Sequence, residues 1–452
     1  MIIKSYKIEK YPWVEAIDCF QQYSDNKYSL LLTGQGESDI AGFSLIAYNP
    51  VAVYSFHPLG STMLQNDKTI PMEFTPWVTL RLLISTLNYE SLPYPANRCG
   101  VTGFLSYEMA HTVEKLPGST KLNYKLPHAY YCIYSGFIYF DVQSKSAFKI
   151  EISYDSKPLE QEFEKIPDSY IIGSIYPDFS KEEYCTKVQQ IRDYVLDGEV
   201  YEVNLSQQYR AGFNGNPFTL FKNLYRKNPA PFSAFINLPN VKILSISPEQ
   251  FIKGDGLQVE TRPIKGTAPR YMDQEQDLLS RNGLVDSEKD KAELHMIVDL
   301  MRNDFSRSCK VGSVKVVTPH RLEKYTNVWH LVAIVEGVLE DDKDYIDLLK
   351  ACFPGGSITG CPKVRSMEII DELETSRRNL YTGSIFLMNQ QFMQSSIVIR
   401  TGIITTNIDT NEQTLFFNSG GAVTIDSEPE KEYDETIHKV THFIASGTKE
   451  YR

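Results

Sequence analysis

Two segments of the sequence each carry a pair of acidic residues separated by one helical turn. Asp290 and Glu293 form one pair, and Glu432 and Glu435 form the other. Residues three positions apart lie on the same face of a helix. Carboxylate oxygens are the ligands that Mg²⁺ prefers, so the two pairs could hold this cation directly or through water.

Each pair also has a simpler interpretation. Asp290 lies three residues after Ser287, the spacing of a capping box at the start of a helix. Glu435 lies four residues before Lys439, the spacing of an ion pair on a helix surface. Spacing alone leaves these alternatives open.

A lysine and a glutamate sixteen residues apart could perform acid, base or covalent chemistry. Lys265 lies between Pro263 and Gly266, and Glu249 follows a predicted strand. Burial, or a neighbouring cation such as Arg262, would lower the pKa of Lys265 toward that of a neutral, nucleophilic amine. A solvent-exposed lysine and a structural glutamate are the alternatives.

Three loop segments and one arginine could bind an anionic group. Thr359–Gly360 precede Pro362 at a predicted helix start, where free backbone N–H groups favour a carboxylate. Residues 418–421 and 265–267 contain glycines that allow a ligand to approach the backbone. Arg400 ends a predicted strand, where it would either point inward toward an anion or point outward to solvent.

Several common motifs are excluded. Residues 355–363 read GGSITGCPK, which lacks the Lys-Ser/Thr of a phosphate-binding loop, and neither HExxH nor GxSxG occurs. His438 and His442 have the spacing of zinc ligands on a helix, but no third ligand lies nearby in the sequence. We expect a structural or surface role for both histidines.

The elements that position these residues are predicted from periodicity and capping signals. Residues 1 to about 165 alternate short apolar runs with turn clusters, including a turn at 48–50, and are predicted to be mostly strands. The stretch 166–180 is predicted to be irregular. Ser180 and Glu183 have capping-box spacing, so a helix should begin there and end near Gly198.

Beyond that helix, we expect further helices at 287–302, 362–374 and 429–444, and a hairpin formed by 397–406 and 414–418. We place a domain change near residue 175, with an N-terminal β-rich domain at 1–175 and a catalytic domain at 176–452. The predicted fold class is α+β.

Composition excludes several classes of function. The chain has 452 residues and a net charge of −11, which disfavours nucleic acid and anionic membrane surfaces as partners. An anionic substrate would need local cations or a metal to overturn this sign. The most apolar stretch, 129–142, is too short to span a membrane as a helix and is predicted to be a buried strand. Seven cysteines, an odd number without a CxxC pair, together with the absence of a visible export signal, favour the cytoplasm.

The ordered segments resemble the chorismate-utilising enzyme family, which includes anthranilate synthase component I, aminodeoxychorismate synthase component I, isochorismate synthase and salicylate synthase. The resemblance covers residues 185–445. The matching segments are EVYEVNLSQ (199–207), SPEQF (247–251), TRPIKGT (261–267), KDKAELHMIVDLMRND (289–304), VWHLV (328–332), FPGGSITGCPKVRSMEIIDELE (353–374), YTGS (381–384), IRTG (399–402) and SGGAVTIDSEPEKEYDET (419–436).

The resemblance implies a set of site residues. Glu293 and Glu435 would be Mg²⁺ ligands, with Asp290 and Glu432 acting through water. Glu249 would be the general acid that protonates a departing hydroxyl, and His330 would lie near that hydroxyl. The groups that would hold the substrate carboxylates and the backbone around them are Gly266, Thr267, Thr359, Tyr381, Arg400, Gly421 and Lys439.

Two positions distinguish the reactions of the family. Members that add water carry a lysine where this chain has Glu202, so water addition is disfavoured; amine-transferring members usually have glutamine there, and the glutamate is a departure from them. Lys265 lies in Pro-Ile-Lys-Gly-Thr, as in the aminodeoxychorismate synthases, whereas anthranilate synthases typically have alanine. The resemblance therefore implies that Lys265 is a catalytic nucleophile; the alternative is that it acts only as a cation near the substrate carboxylate.

The resemblance implies the family's fold of large antiparallel sheets flanked by helices. It also implies conversion of chorismate and ammonia to 4-amino-4-deoxychorismate, on the route to p-aminobenzoate and folate, with Mg²⁺ as cofactor and a glutamine amidotransferase component II as the source of ammonia. Anthranilate synthesis is the enzymatic alternative. A non-catalytic subunit that only binds chorismate is a second alternative.

Overall fold

Antiparallel strands form the framework of the protein in the computed structural model, which describes residues 1–34, 39–161 and 166–447, with side chains described to residue 440. The strands before residue 178 are β1 (Ile3–Tyr11), β2 (Leu30–Thr33), β3 (Phe43–His57), β4 (Gly60–Gln65), β5 (Lys68–Met72), β6 (Val101–Leu105), β7 (Ala129–Asp141), β8 (Ser146–Tyr154) and β9 (Tyr170–Pro177).

The later strands include those that carry the predicted site residues. They are β10 (Glu202–Gly215), β11 (Phe232–Leu238), β12 (Val241–Ser247), β13 (Gln250–Asp255), β14 (Gln258–Arg262), β15 (Ile264–Pro269), β16 (Lys315–Lys324), β17 (Val328–Val338), β18 (Gly360–Cys361), β19 (Ser384–Met388), β20 (Phe392–Ile397), β21 (Thr401–Thr406) and β22 (Gln413–Val423).

Helices pack against these strands. They are α1 (Ala16–Cys19), α2 (Pro76–Leu87), α3 (Lys181–Leu196), α4 (Pro217–Lys227), α5 (Gln274–Asp286), α6 (Glu288–Ser306), α7 (Tyr345–Cys352), α8 (Lys363–Leu373) and α9 (Pro429–Gly447). Short 3₁₀ helices lie at Phe20–Gln22, Tyr89–Ser91, Ala96–Arg98, Tyr107–Thr112 and Gly356–Ile358. Because α6 packs on β15 to β17 and α9 packs on β22, both acid-bearing helices border the sheet. The predicted α+β class is confirmed.

Strands from the two halves of the chain pair with one another. β2 pairs with β11, β6 pairs with β19, and β9 pairs with β10, all in antiparallel register. One apolar cluster accordingly joins residues of both halves, including Phe104 and Phe137 from the first and Phe251 and Phe353 from the second. The boundary predicted near residue 175 falls inside β9, and the division into two domains stays a prediction.

Local signals predicted several elements well. Ser180 and Glu183 form the expected capping box, and α3 ends before Gly198, which has a φ of 77°. The helices predicted at 287–302, 362–374 and 429–444 correspond to α6, α8 and α9. Strand β7 contains the apolar run predicted to be a buried strand. Among the described residues, no helix is long and apolar enough to cross a membrane.

Two predictions about the elements before residue 181 are wrong. Residues 48–50 do not form a turn, because β3 runs through them; Asn49 has a φ of 54°, and the register with β7 shifts between Pro50 and Ala52. The stretch 166–180 is not irregular throughout, because Tyr170–Pro177 forms β9 along the side of β10.

Candidate active site

Three strands bring the candidate nucleophile and acid together. Lys265 is the second residue of β15, Glu249 lies between β12 and β13, and Glu202 is the first residue of β10. All three side chains are buried. A cluster of ionisable groups at strand ends, screened from water, is a typical setting for strongly perturbed pKa values.

Lys265 is held by a carboxylate. Its Nζ donates a hydrogen bond to Oε1 of Glu202 over 2.6 Å. Burial by itself lowers the pKa of Lys265, but the negative charges of Glu202, Glu293 and Glu249 outweigh it and leave the pKa above its ordinary value. The prediction of a lowered pKa is therefore wrong for this state of the protein, in which the side chain is an ammonium group.

Arg262 does not act on Lys265 as expected. Its guanidinium donates to Asp39 over 2.9 Å and to Glu260 over 2.7 Å, and it lies 3.8 Å from Glu323. Three carboxylates thus neutralise this arginine. It anchors the end of β14, immediately before the segment that carries Lys265.

Glu249 has the properties of a proton donor. Its Oε1 accepts a hydrogen bond from Oγ of Ser357 over 2.6 Å. Burial raises the pKa of Glu249 to about 7, although Ser357, Lys265 and Arg400 all favour the ionised form. A carboxyl with this pKa is about half protonated at neutral pH, which suits a general acid.

His330 is neutral rather than acidic. It is buried in β17, its Nδ1 hydrogen-bonds with Oγ1 of Thr267 over 2.9 Å, and its Nε2 has no hydrogen-bond partner among the described residues. Burial first, and the charge of Arg400 second, lower its pKa to about 3. The free ring nitrogen can form a hydrogen bond with a ligand, but the ring cannot serve as an acid near pH 7.

Arg400 does not end a strand as predicted. It lies in the connection between β20 and β21 with a φ of 52°. Its side chain is half-buried and makes no hydrogen bond or ion pair with any described residue, although it influences the pKa values of Glu249 and His330. A half-buried guanidinium without a partner is costly, so this arrangement favours an anionic ligand.

The first acidic pair lies where α6 passes β15. Oγ of Ser287 accepts a hydrogen bond from the Asp290 backbone N–H, but the Asp290 side chain does not return it, so the capping-box alternative is only half present. Burial, Glu202 and Asp290 raise the pKa of Glu293, against the pull of Lys265. Gly266 has a φ of 80°, and a Cβ there would lie 3.0 Å from the Asp290 side chain, so the backbone before Thr267 runs directly against Asp290.

The second acidic pair lies on α9 beside β22. Glu432 is buried, and burial and the neighbouring Glu435 raise its pKa. Glu435 is half-exposed and forms the predicted alternative ion pair with Lys439 over 2.6 Å, while Lys439 also donates to the carbonyl of Gly420. A Cβ on Gly421 would lie 3.2 Å from Glu432 Oε2 and 3.6 Å from Glu435 Oε1, so both carboxylates crowd this glycine.

Lys289 interacts with both acidic pairs. Its Nζ lies 3.8 Å from Glu293 Oε1, and its charge lowers the pKa of Glu432. In the part of the chain that the structure describes, no three His, Cys, Asp or Glu side chains are grouped closely enough to hold a metal ion. The donor chemistry nevertheless fits Mg²⁺, because each pair places two carboxylates together, and burial and the neighbouring carboxylate raise the pKa values of Glu293 and Glu432 even beside Lys289.

Two further predicted ligands are fully or partly buried. Thr359 is buried, its Oγ1 donates to Gly355 O over 3.0 Å, and its N–H donates to Gly356 O. Its N–H is therefore not the free helix donor that was predicted, and α8 begins only at Lys363. Tyr381 is half-buried; burial raises its pKa to about 12, and the charge of Glu435 adds to this effect.

His438 is exposed on α9, and the side chain of His442 lies outside the described residues.

Several buried residues that hold the site in place were not predicted from the sequence. Arg378 and Glu374, both buried, pair over 2.7 Å, and Glu374 accepts from the N–H and Oγ of Ser206. Arg378 also donates to the carbonyls of Ile358 and Asn204. The i, i+4 spacing of Glu374 and Arg378 is visible in the sequence, but the burial of this pair is not. Ser357, which donates a hydrogen bond to Glu249, lies inside the GGSITG segment but was not predicted as a site residue.

Comparisons with known proteins find relatives that match most of the chain. A family model described as chorismate binding enzyme matches residues 31–445. The chain is 37% identical over 435 residues to an aminodeoxychorismate synthase component 1 from Klebsiella aerogenes, covering 94% of this chain and 95% of the relative. It is 35% identical over 395 residues to an anthranilate synthase component 1 from Haloarcula marismortui, covering 80% and 79%.

A solved structure supports the fold. The crystal structure of anthranilate synthase component I from Streptococcus pneumoniae superposes with a TM-score of 0.75 at 28% sequence identity, covering 89% of this chain and 92% of that one. The predicted architecture of large antiparallel sheets flanked by helices is that of this relative.

Proposed function

Because the chain belongs to the chorismate binding enzyme family, we propose that it is an aminodeoxychorismate synthase component I. It would convert chorismate and ammonia, supplied by a glutamine amidotransferase partner, to 4-amino-4-deoxychorismate for p-aminobenzoate and folate synthesis. The relative from Klebsiella aerogenes, matched over nearly its whole length, supports this activity. The predicted cytoplasmic location stays a prediction.

The observation that carries the proposal is the setting of Lys265. Its amine is buried, hydrogen-bonded to Glu202, and close enough to Glu249 for each to influence the pKa of the other. A lysine used only for solubility would extend into water. A buried amine beside a carboxyl with a pKa of about 7 combines a nucleophile with a proton donor.

The proposed reaction has two displacements. Lys265 first passes a proton to one of the carboxylates around it, and its neutral amine attacks C2 of chorismate. Glu249 gives its proton to the departing 4-hydroxyl, which leaves as water. Ammonia then attacks C4, the bond from C2 to Lys265 breaks, the lysine recovers its proton, and the new C4 ammonium returns a proton to Glu249. The net reaction consumes chorismate and ammonia and releases water.

Substrate binding would use the groups around the carboxylates. Arg400, which lacks a protein partner among the described residues, would pair with a substrate carboxylate. Lys439, Tyr381, Thr359 and the backbone of Gly421 would complete this binding, and Gly266 and Thr267 would line the site beside Lys265. Nε2 of His330, also unpaired, would hydrogen-bond near the 4-hydroxyl.

Glu293 and Glu435 would hold Mg²⁺, with Asp290 and Glu432 bound through water. The metal would supply positive charge for the ring carboxylate of the substrate and would relieve the repulsion among these acids. Lys289 and Lys439, which interact with the acids in this structure, would then shift toward solvent or substrate.

Product analysis tests the activity. Purified protein incubated with chorismate, Mg²⁺ and ammonium should form 4-amino-4-deoxychorismate. A fluorescent aromatic amine as product would instead establish anthranilate synthesis, which the Haloarcula marismortui relative makes the second candidate. Binding of chorismate without turnover would indicate a non-catalytic subunit and would contradict both.

The covalent step has its own test. With chorismate and Mg²⁺ but no ammonia, the protein should gain the mass of chorismate less water, visible by intact mass spectrometry after acid quench. Lys265→Ala should gain none, and peptide mapping of the wild type should place the label within residues 261–270. Formation of product by Lys265→Ala at a rate near that of the wild type would refute the nucleophile.

A further inference from the structure

Glu202 uses only one of its two carboxylate oxygens. Its side chain is fully buried, and Oε1 accepts the 2.6 Å hydrogen bond from Lys265. Oε2 has no hydrogen-bond partner among the described residues. Burial of a carboxylate with an unpaired oxygen has a large desolvation cost, which the interaction with Lys265 must offset.

The backbone and side chain of Glu202 are both fixed. Residue 202 pairs with Cys361 of β18, and its carbonyl accepts from Oγ of Ser366 over 3.1 Å. The Asn204 side chain donates to Oε1 of Glu202 and to the carbonyl of Ser357, in each case over 3.2 Å. The acceptor atom therefore has a defined position relative to Ser357, which itself holds Glu249.

We propose that Glu202 is a positioning residue whose Oε1 fixes the Lys265 amine beside Glu249; this rests on the proposed role of Lys265 as nucleophile. The acceptor atom, rather than the charge of residue 202, is what the site requires. Glu293 supplies negative charge to Lys265 in addition to Glu202. A carboxamide places an acceptor oxygen at the same reach and carries a smaller desolvation cost.

Three substitutions separate position from charge. Glu202→Gln keeps the acceptor at the same reach without the charge, and it should form the covalent adduct within about fivefold of the wild-type rate. Glu202→Asp keeps the charge but is one methylene shorter, and it should be slower than Glu202→Gln. Glu202→Leu removes the acceptor, and the resulting misplacement of the amine should slow adduct formation by roughly 100-fold.

The measurement is the rate of mass gain with chorismate and Mg²⁺ in the absence of ammonia, with folding monitored by thermal unfolding. A matched control is Asp304→Leu, which breaks another largely buried Lys–carboxylate pair, between Lys363 of α8 and Asp304 of α6, that shares no residue with the Lys265–Glu202 pair. That variant should lose stability while its folded fraction forms adduct at a rate near that of the wild type.

The order of the rates decides the proposal. Glu202→Gln faster than Glu202→Asp supports it, and this comparison suffices even if Glu202→Leu does not fold. The reverse order would show that charge matters more than position and would overturn it, as would wild-type rates in all three variants. If Lys265→Ala formed product normally, the nucleophile itself would be refuted, which is a distinct outcome.

Discussion

Removal of the Ser357 hydroxyl should move the pH dependence of the covalent step upward. In the structure this hydroxyl donates to Oε1 of Glu249 over 2.6 Å and favours the ionised carboxylate. Ser357→Ala therefore leaves the ionised form less stable, and the pKa of Glu249 should rise above its value of about 7. With this higher pKa Glu249 remains a proton donor, whereas Glu249→Gln would remove the proton donor.

The expected size follows from the strength of the hydrogen bond. A hydrogen bond to a charged group contributes about 1.5–3 kcal/mol, and one pKa unit corresponds to about 1.4 kcal/mol. Part of the loss is recovered by repacking, so we expect a shift of about one unit. At pH 8, the protonated fraction of Glu249 would then rise from about one tenth to about one half, a gain of roughly fivefold.

The assay is the rate of adduct formation between pH 6 and pH 9, again without ammonia, so that the protonation of ammonia does not contribute. Lys265 transfers its proton within the site, so the rate should fall above the pKa of Glu249. The midpoint of that fall should be near pH 7 in the wild type and near pH 8 in Ser357→Ala. An unchanged midpoint, or a shift to lower pH, would refute the assignment of Glu249 as the acid.

Four other outcomes are expected. Arg400→Ala should raise the KM for chorismate by about 30-fold, because a charge-assisted hydrogen bond to a carboxylate is lost; an unchanged KM would place the substrate carboxylates elsewhere. Glu435→Gln should abolish turnover while shifting the free energy of unfolding by no more than about 0.5 kcal/mol, since the side chain is half-exposed, and undiminished wild-type activity in metal-free buffer would rule out the Mg²⁺ role. Burial raises the pKa of Glu249 above its unfolded value, so the folded state holds this proton from below pH 4.5 up to about pH 7. The wild type should therefore lose about 3 kcal/mol of unfolding free energy as the pH rises through that window. Urea unfolding at pH 5 and pH 8 should show that this loss disappears in Glu249→Gln. The single chain should use ammonium but not glutamine, and efficient glutamine-dependent synthesis without a partner would contradict the expected amidotransferase component.

Elements with strong local signals were predictable from the sequence. The capping box of Ser180 and Glu183 defines the start of α3, and the apolar periodicity that follows defines its buried face. The helices α6 and α9 were recognised in the same way. Such signals depend on residues within one or two turns, so they can be interpreted without knowledge of the rest of the fold.

The two wrong predictions at residues 48–50 and 166–180 share a different cause. Asn49 and Pro50 are typical turn residues, yet pairing with β7 on one side holds β3 extended through a register shift. Gly173 and Pro177 suggested an irregular segment, yet β10 offers an edge with which β9 pairs. Strand pairing between distant residues overrode the local preference in both cases.

The pKa of Lys265 could not be predicted for a related reason. Arg262 is only three residues away in sequence, but it pairs with Glu260 and with two carboxylates that are distant in sequence, Asp39 and Glu323. Glu202 is 63 residues from Lys265 in sequence and is its direct partner. The sign of a pKa shift depends on which charges meet in space, and that is decided by strand pairing.

The proposal of a divalent cation also rests on the charge balance of the site. The net charge of −11 implied that an anionic substrate would need local positive charge. The carboxylates of the site outnumber its cations: Glu202, Glu249, Asp290, Glu293, Glu432 and Glu435 against Lys265, Lys289, Arg400 and Lys439. Even with Glu249 protonated, the cluster stays negative before a dicarboxylate enters it. The chain's own cations are therefore too few to attract such a substrate, and Mg²⁺ on the acids of α6 and α9 would reverse the sign where the substrate binds.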